Sequence, residues 1–533
     1  MDIRVNNITI SINEEKNVLL NKVAKKLKVK QEDIKDFKII KESLDARKKN
    51  DIKYTYCIEL TIKDEEKIVK RLKDKDVKVE INEYNAEIPN GNEKLKNRPV
   101  VVGFGPAGIF AGLLLAEKGY TPLIIERGED VDKRTETVDR FWKTGELNTE
   151  SNVQFGEGGA GAFSDGKLTT RIKDNRCDYI LRKLVEAGAP EEITYLAKPH
   201  VGTDILKDVV KNIRERIKEL GGEILFSSKL EEIKSEDGKV KSIIVNGKEI
   251  ECENLILAIG HSSRDTYEML NEIGVKMDPK AFAIGVRIEH KQELINKSQY
   301  GDMHEHPRLK AAEYRLTYQS EKLKRAVYSF CMCPGGVVVA AASENNRLVS
   351  NGMSYHARDL ENANSALVVT VGPDDFEGDS PLRGMEFQRH YEELAFKLGG
   401  GNYKAPIQLV GDFMQDKVST KLGSITPSYT GSYIFEDLRK CLPSYVIEAL
   451  KEGILDFDKK IKGYGSHDAV LTGIETRTSA PVRINRDENL ESISIKGLYP
   501  AGEGAGFAGG IISAAVDGMK VAEKIIEKYK PIK

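Results

Sequence analysis

Residues 98–127, RPVVVGFGPAGIFAGLLLAEKGYTPLIIER, constrain this chain more than any other segment. A short apolar strand (Val100–Val102) runs into Gly103, Gly105 and Gly108, spaced G-x-G-x-x-G, and these open an apolar helix. A second strand then delivers an acid, Glu126, 18 residues after the last glycine. Each part has a mechanical purpose. Gly103 permits the tight turn, Gly105 lets backbone approach a pyrophosphate, and Gly108 lets helix pack on strand. Phosphates favour the free N–H groups and positive end of the helix, and Glu126 is placed to accept hydrogen bonds from a ribose diol. Pro106 and Ala107, inside the turn, belong to the same cradle. The segment predicts a parallel βαβ unit binding a dinucleotide.

The bare pattern is weak by itself, since it recurs at Gly156/Gly158/Gly161 and Gly504/Gly506/Gly509. The third copy also follows a strand and opens a helix, but only 24 residues remain after Gly509. A complete unit needs roughly 30, including a second strand and an acid. This run is therefore expected to serve another part of a ligand held elsewhere. The middle copy, GEGGAGAFSDGKLTTR, is followed by no apolar helical run. It reads as an extended loop whose backbone amides suit a nearby phosphate.

Glycine usage also divides the chain, for all 46 glycines lie beyond position 90. Residues 1–90 predict β-α-β-β-α-β, a ferredoxin-like unit without catalytic chemistry, suited to packing or to docking a protein partner. The polar stretch Asn90–Asn97 reads as a linker. Beyond it we expect a nucleotide-binding domain in two parts, residues 98–290 and 465–533, with a cap or substrate domain of mixed α+β character, residues 291–464, inserted between them.

At 533 residues the chain is long enough for several domains. Lys+Arg at 82 nearly balance Asp+Glu at 84, which argues against a nucleic-acid or anionic-membrane partner. The start lacks a signal-peptide pattern, no apolar stretch reaches spanning length, and six cysteines make no disulfide framework. These features predict a cytoplasmic protein.

The first motif ending in ERG, together with LILAIG and YPAGEGAGFAGGI, resembles the FAD-binding fold of the glutathione reductase type. More closely, residues 98–533 resemble the bacterial and archaeal FAD-dependent dehydrogenases called NAD(FAD)-utilising. The segments that carry this likeness are GEGGAGAFSDGKL, KPHVGTD, SFCMCPGG, NGMSYHAR, NANSALVVTV, ETRTSAPVRI and YPAGEGAGFAGG. The resemblance implies a Rossmann-like α/β fold and non-covalent FAD. Gly103, Gly105 and Gly108 would hold the pyrophosphate, and Glu126, with Arg127 beside it, the adenosine ribose. Leu230 would pass the adenine, and Ala258 and Gly260 would form a turn against the cofactor. Gly158, Gly159, Ala160, Gly161, Lys167 and Leu168 of the middle loop are expected to touch it. Gly502-Glu503 stands where the family pattern has Gly-Asp, one methylene longer. Gly509, Gly510 and Ile511 would start a helix aimed at the flavin O2, favouring the anionic reduced ring.

Candidate chemistry lies in the cap and just after it. Cys331 and Cys333, in CMCPGG, either relay electrons as a dithiol or simply pack a tight turn. The strain of a C-x-C ring favours packing. Arg477 and Arg483 are candidates for the flavin edge, where a guanidinium forks to a carboxylate, with an ion pair to a cap acid as the alternative. Tyr355, His356 and His467 are acid–base candidates, whereas His200 is expected to act in local structure. His304 and His306 have no spacing that gathers a metal site with the cysteines, so none is expected. The expectation is an FAD-dependent oxidoreductase performing hydride transfer on a small metabolite, with NAD(P)H docking transiently if at all. The rival readings are an FAD-binding regulatory or scaffold protein and a tRNA-modifying FAD enzyme.

Overall fold

The computed structural model describes residues 2–80 and 88–532. The tail of the strand expected at 77–82 lies outside these residues beyond Glu80.

The N-terminal unit is a four-stranded antiparallel sheet of Asp2–Ser11, Lys35–Asp45, Lys53–Thr61 and Val77–Glu80, in the spatial order second, third, first, fourth. Strand alternation buries Ile3, Val5, Ile8 and Ile10 against Leu19, Val23 and Leu27 of the helix Val18–Leu27. The unit is fastened to the rest of the chain. Ile12 and Ile52 join the cap's core, and Arg308 donates to Ile12 O at 2.8 Å. The stretch expected to be a linker is also docked: Gly91 N donates to Ile526 O (2.8 Å), Glu93 N to Lys528 O (3.2 Å), and Leu95 is buried.

The nucleotide domain is built on a five-stranded parallel sheet. Its spatial order is Leu498–Pro500, Leu255–Leu257, Val100–Val102, Leu123–Ile125, Glu223–Leu225. All three residues of the central strand are buried, as in a sheet covered on both faces. The helix Pro106–Glu117 is apolar on every side rather than amphipathic, because it is sandwiched between the sheet and the last helix, Ile511–Lys528. That contact is close enough that a β-carbon at Gly518 would lie 2.1 Å from Ala107 O.

The middle of the chain forms a seven-stranded sheet. Its order is Thr317–Ser320, Arg325–Cys333, Asn362–Val371, Phe282–Lys291, Val470–Glu475, Ala405–Leu409, Tyr433–Phe435. The helix Ser444–Lys460 backs it with Val446, Leu450 and Phe457. Two strands cross the boundaries read from sequence. Phe282–Lys291 and Val470–Glu475, assigned there to the nucleotide domain, lie side by side in the cap sheet. Their near-continuous burial resembles that of nucleotide-domain strands, so composition alone does not separate them. The hairpin Gly336–Ala340/Ser350–Ser354 stands apart as a two-stranded sheet.

Candidate functional site

A cavity of about 390 Å³ runs from the glycine turn after Val100–Val102 to the cap sheet. It gathers most of the residues singled out from sequence. Gly103, Gly105, Pro106, Ala107, Glu126 and Arg127 line one end, facing Gly159, Ala160 and Gly161 of the middle loop. Leu230, Ala258 and Gly260 form its side, and Glu503, Gly509, Gly510 and Ile511 its far wall.

The three glycines of the first motif differ in what they do. A β-carbon at Gly103 would lie 2.2 Å from Ala258 O, and one at Gly108 would lie 1.9 Å from Gly103 O, so both are demanded by packing within the protein. Gly108 itself lies beneath the turn and not on the cavity wall. At Gly105 the closest atom would be Gly159 Cα at 3.6 Å, and φ is −84°. The protein tolerates a side chain there; the space it would fill is the cavity. This is the fit expected of a phosphate cradle at a helix N-terminus.

Glu126 is buried, and its carboxylate ties together three loops. It accepts N–H bonds from Phe104 (2.8 Å), Gly128 (2.9 Å) and Gly156 (2.9 Å). A carboxylate has about four lone-pair positions, so one is left for a ligand hydroxyl. Beside it Arg127 stacks on Phe155, 4.2 Å from the ring centroid, and forks to Asp265 at 2.9 Å. The middle loop is held from below by Arg134, which is fully buried and donates to the carbonyls of Asn152, Val153 and Glu157. The sequence reading missed Arg134, whose helix is otherwise a charged surface helix.

Several expected contacts fall elsewhere. Gly158 turns away from the cavity, and a β-carbon on it would meet Ala162 and Val210. Leu168 is buried in the nucleotide-domain core, its N–H bonded to Pro199 O, because the chain reverses after Lys167. Gly502 lies under the wall against Ala107, and its N–H is bound by Asp517 at 2.7 Å. Arg483 is exposed, lying over Phe507 and outside the cavity, because strand alternation turns Val482 and Ile484 inward instead. Arg477 reaches the wall, but its guanidinium is occupied. It pairs with Glu392 (3.1 and 3.0 Å), which also receives a fork from Arg264 at 2.7 Å. These two arginines hold the Glu392 carboxyl far below the usual range. Arg477 therefore makes an ion pair to a cap acid, the second of the two alternatives, and Arg264 ties that same acid to the nucleotide domain.

His200 is buried and stacks on His356, with ring centroids 5.3 Å apart. Its Nε2 lies 3.0 Å from His356 O, and burial pushes its pKa down to about 4. Tyr355 and His467 are exposed and outside the cavity. His304 bonds Gly301 O, and His306 bonds Asn13 of the N-terminal unit. Among the described residues no cluster suits a metal ion, and no helix is long and apolar enough to cross a membrane.

Two groups of wall residues escaped the sequence reading. His261, Ser262 and Ser263 follow the turn Ala258–Gly260 at the end of the strand Leu255–Leu257. His261 Nδ1 lies 3.5 Å from Glu503, and its buried Nε2 has no protein partner. The signal was a polar HSS run just after an apolar strand and its turn. At the cap end Phe330, Cys331, Asn351 and Glu475 come from three strands that sequence could not bring together. Behind them Arg287, fully buried, binds Glu475 at 3.0 and 3.1 Å and Asn364 at 2.9 Å. A β-carbon at Gly352 would lie 2.4 Å from the guanidinium, so glycine there makes its room. Burial raises the Glu475 carboxyl to about 7 against the pull of Arg287. Cys331 faces the cavity, whereas Cys333 sits behind it, fully buried.

Residues 281–478 match the family model described as FAD-dependent protein, C-terminal domain-like, nearly the span of the seven-stranded sheet. Residues 2–61 match a domain of unknown function. A protein of Clostridium beijerinckii, itself described as uncharacterized, is 70% identical over 529 residues, 99% of either chain. Solved structures show a much looser likeness. Glycine oxidase from Bacillus cereus is 10% identical, with a TM-score of 0.36 over 82% of this chain and 99% of its own. CtdE in complex with FAD is 14% identical, with a TM-score of 0.32 over 81% of this chain and 84% of its own.

Proposed function

This chain and its C. beijerinckii relative belong to one family, and residues 281–478 match an FAD-dependent C-terminal domain; from that premise we propose that the protein is an oxidoreductase acting on a small metabolite bound at the cap end of the cavity. The observation that carries this reading is one continuous cavity with a glycine-lined phosphate cradle at one end and ionisable side chains at the other.

In this reading the pyrophosphate lies between the N-terminus of Pro106–Glu117 and Gly159–Gly161. Glu126 takes a ribose hydroxyl with its remaining lone pair, Leu230 passes the adenine, and Glu503 with His261 binds the ribitol side. FAD supplies hydride chemistry when bound. The protein's own contribution is positional and electrostatic. The N-terminus of Ile511–Lys528 presents positive potential to the wall it forms. Glu475, near neutrality in its proton affinity, holds or releases a proton at its carboxyl oxygen beside Arg287. Arg264, Glu392 and Arg477 fix the cap against the nucleotide domain and so set the cavity's width. The cavity serves one dinucleotide, so NAD(P)H, if it is the reductant, docks transiently at the cap end.

The test is direct. The purified protein should be yellow and should release FAD on heating. An anaerobic screen of metabolites and reduced nicotinamides should bleach it. Release of FMN, or failure to take up any flavin on reconstitution, would sink the proposal.

A further inference from the structure

The FAD contacts proposed above use neither Cys331 nor Cys333, yet the fold departs from regularity to present one of them. Strand Arg325–Cys333 pairs regularly with Asn362–Val371 as far as Phe330↔Ala366. One residue later the register slips, and Cys333 instead of Met332 faces Asn364. Cys331 sits in this bulge with φ at 43°, in the left-handed region that a side-chain-bearing residue rarely occupies. As a result two consecutive residues, Phe330 and Cys331, both line the cavity, where a regular pleat would turn one of them away. Strained backbone of this kind persists only where its surroundings hold it. Here Arg287 does so, donating to Cys331 O at 2.5 Å, while the Lys167 ammonium bonds Met332 O.

The charges around the thiol come from every side. Arg287 lies beneath it, 3.7 Å from Cys333 Sγ, and Lys167 reaches in from the middle loop. Against these stand Glu475, already bound to Arg287, and Asp165, already bound to Arg358. Cys333 is buried behind, its thiol 3.3 Å from Cys331 O.

We propose that Cys331 is a nucleophilic thiolate at the substrate end of the cavity, balanced by Arg287 with the Cys333 thiol behind it, and that it takes a soft electrophilic carbon carried by the metabolite. This deepens the oxidoreductase reading and rests on it for the identity of the substrate end. The neighbouring Cys333 thiol and the guanidinium bring the Cys331 thiol down to about 6, while the Cys333 thiol is pushed up. In the step, a sulfur lone pair forms the S–C bond. The carbon's bond to its displaced group, or its π bond, breaks with its electron pair, and that pair takes the proton held by Glu475 on the same wall of the cavity. No disulfide forms, so the strain of a C-x-C ring does not arise.

Iodoacetamide tests this on the full chain, with and without FAD. With this probe the S–C bond forms, the C–I bond breaks and iodide leaves. Peptide mass spectrometry should show Cys331 alkylated at pH 6.5 at least roughly tenfold faster than Cys177, whose thiol burial pushes up. The rate should be half-maximal near pH 6, and Cys333→Ala should move that midpoint upward. An ordinary midpoint at about 8.5, or alkylation no faster than at Cys177, overturns the proposal. So does an unchanged midpoint in Cys333→Ala. Flavin fluorescence reads FAD binding separately: a chain that reacts as stated but binds no FAD defeats the oxidoreductase reading and leaves the thiolate standing.

Discussion

At the nucleotide end of the cavity the protein presents backbone; at the cap end it presents side chains. Gly103, Gly105, Gly159 and Gly161 give the first a glycine-lined cradle beside Glu126 and Arg127. Phe330, Cys331, Asn351 and Glu475 line the second, from strands of two sheets that meet only in the folded protein. The contrast follows from chemistry. A pyrophosphate is common to many ligands and is recognised by N–H groups at a helix start, which local sequence specifies. A particular metabolite is recognised by side chains from several strands, which only tertiary contacts assemble.

The largest expected effect tests whether the glycines of the nucleotide end are alike. Gly108→Ala forces a β-carbon to within 1.9 Å of Gly103 O and should yield little soluble protein. Gly105→Val fills only the cavity. It should purify folded, with an unchanged circular dichroism spectrum, but colourless. A yellow Gly105→Val would place the phosphates elsewhere.

The next effect concerns the junction between the two ends. Glu392→Ala leaves Arg264 and Arg477 buried with only Glu344 still shared between them, which should cost about 3 kcal/mol in a denaturant titration. A loss under about 1 kcal/mol would mean that the cap and nucleotide domains are not fastened there.

Acid should separate the ends further. Burial depresses His200, at the junction, and His290, in the cap core, to about 4 each. An unfolded histidine titrates near 6.5, so the unfolded chain takes these protons first. The stability they confer is complete above about pH 6.5 and is lost as pH falls toward 4. Between pH 7 and 5 each histidine should cost about 2 kcal/mol. Urea titrations at the two pH values check this, and a double variant, His200→Gln with His290→Gln, should flatten the difference. An equal slope in parent and variant would assign acid sensitivity to other groups.

The smallest effect is at Arg483. Because its side chain is exposed on Phe507, Arg483→Ala should leave FAD affinity within about twofold and stability within about 0.5 kcal/mol. A large loss of flavin would return it to the cavity.

By itself the sequence determined the parallel βαβ unit and the acid at the end of its second strand. Each of these depends on spacing within about 30 residues. The family resemblance pointed to Gly509–Ile511, which the structure places on the cavity wall. Tertiary structure decided the rest. It placed Phe282–Lys291 and Val470–Glu475 in the cap sheet, because buried strands of either domain look alike until they pair. It spent Arg477 on Glu392 and turned Arg483 outward, because a guanidinium's partner is set by what packs opposite it. It also put Cys331 against Arg287 by a one-residue bulge, a shift in register that no periodicity in the sequence reports.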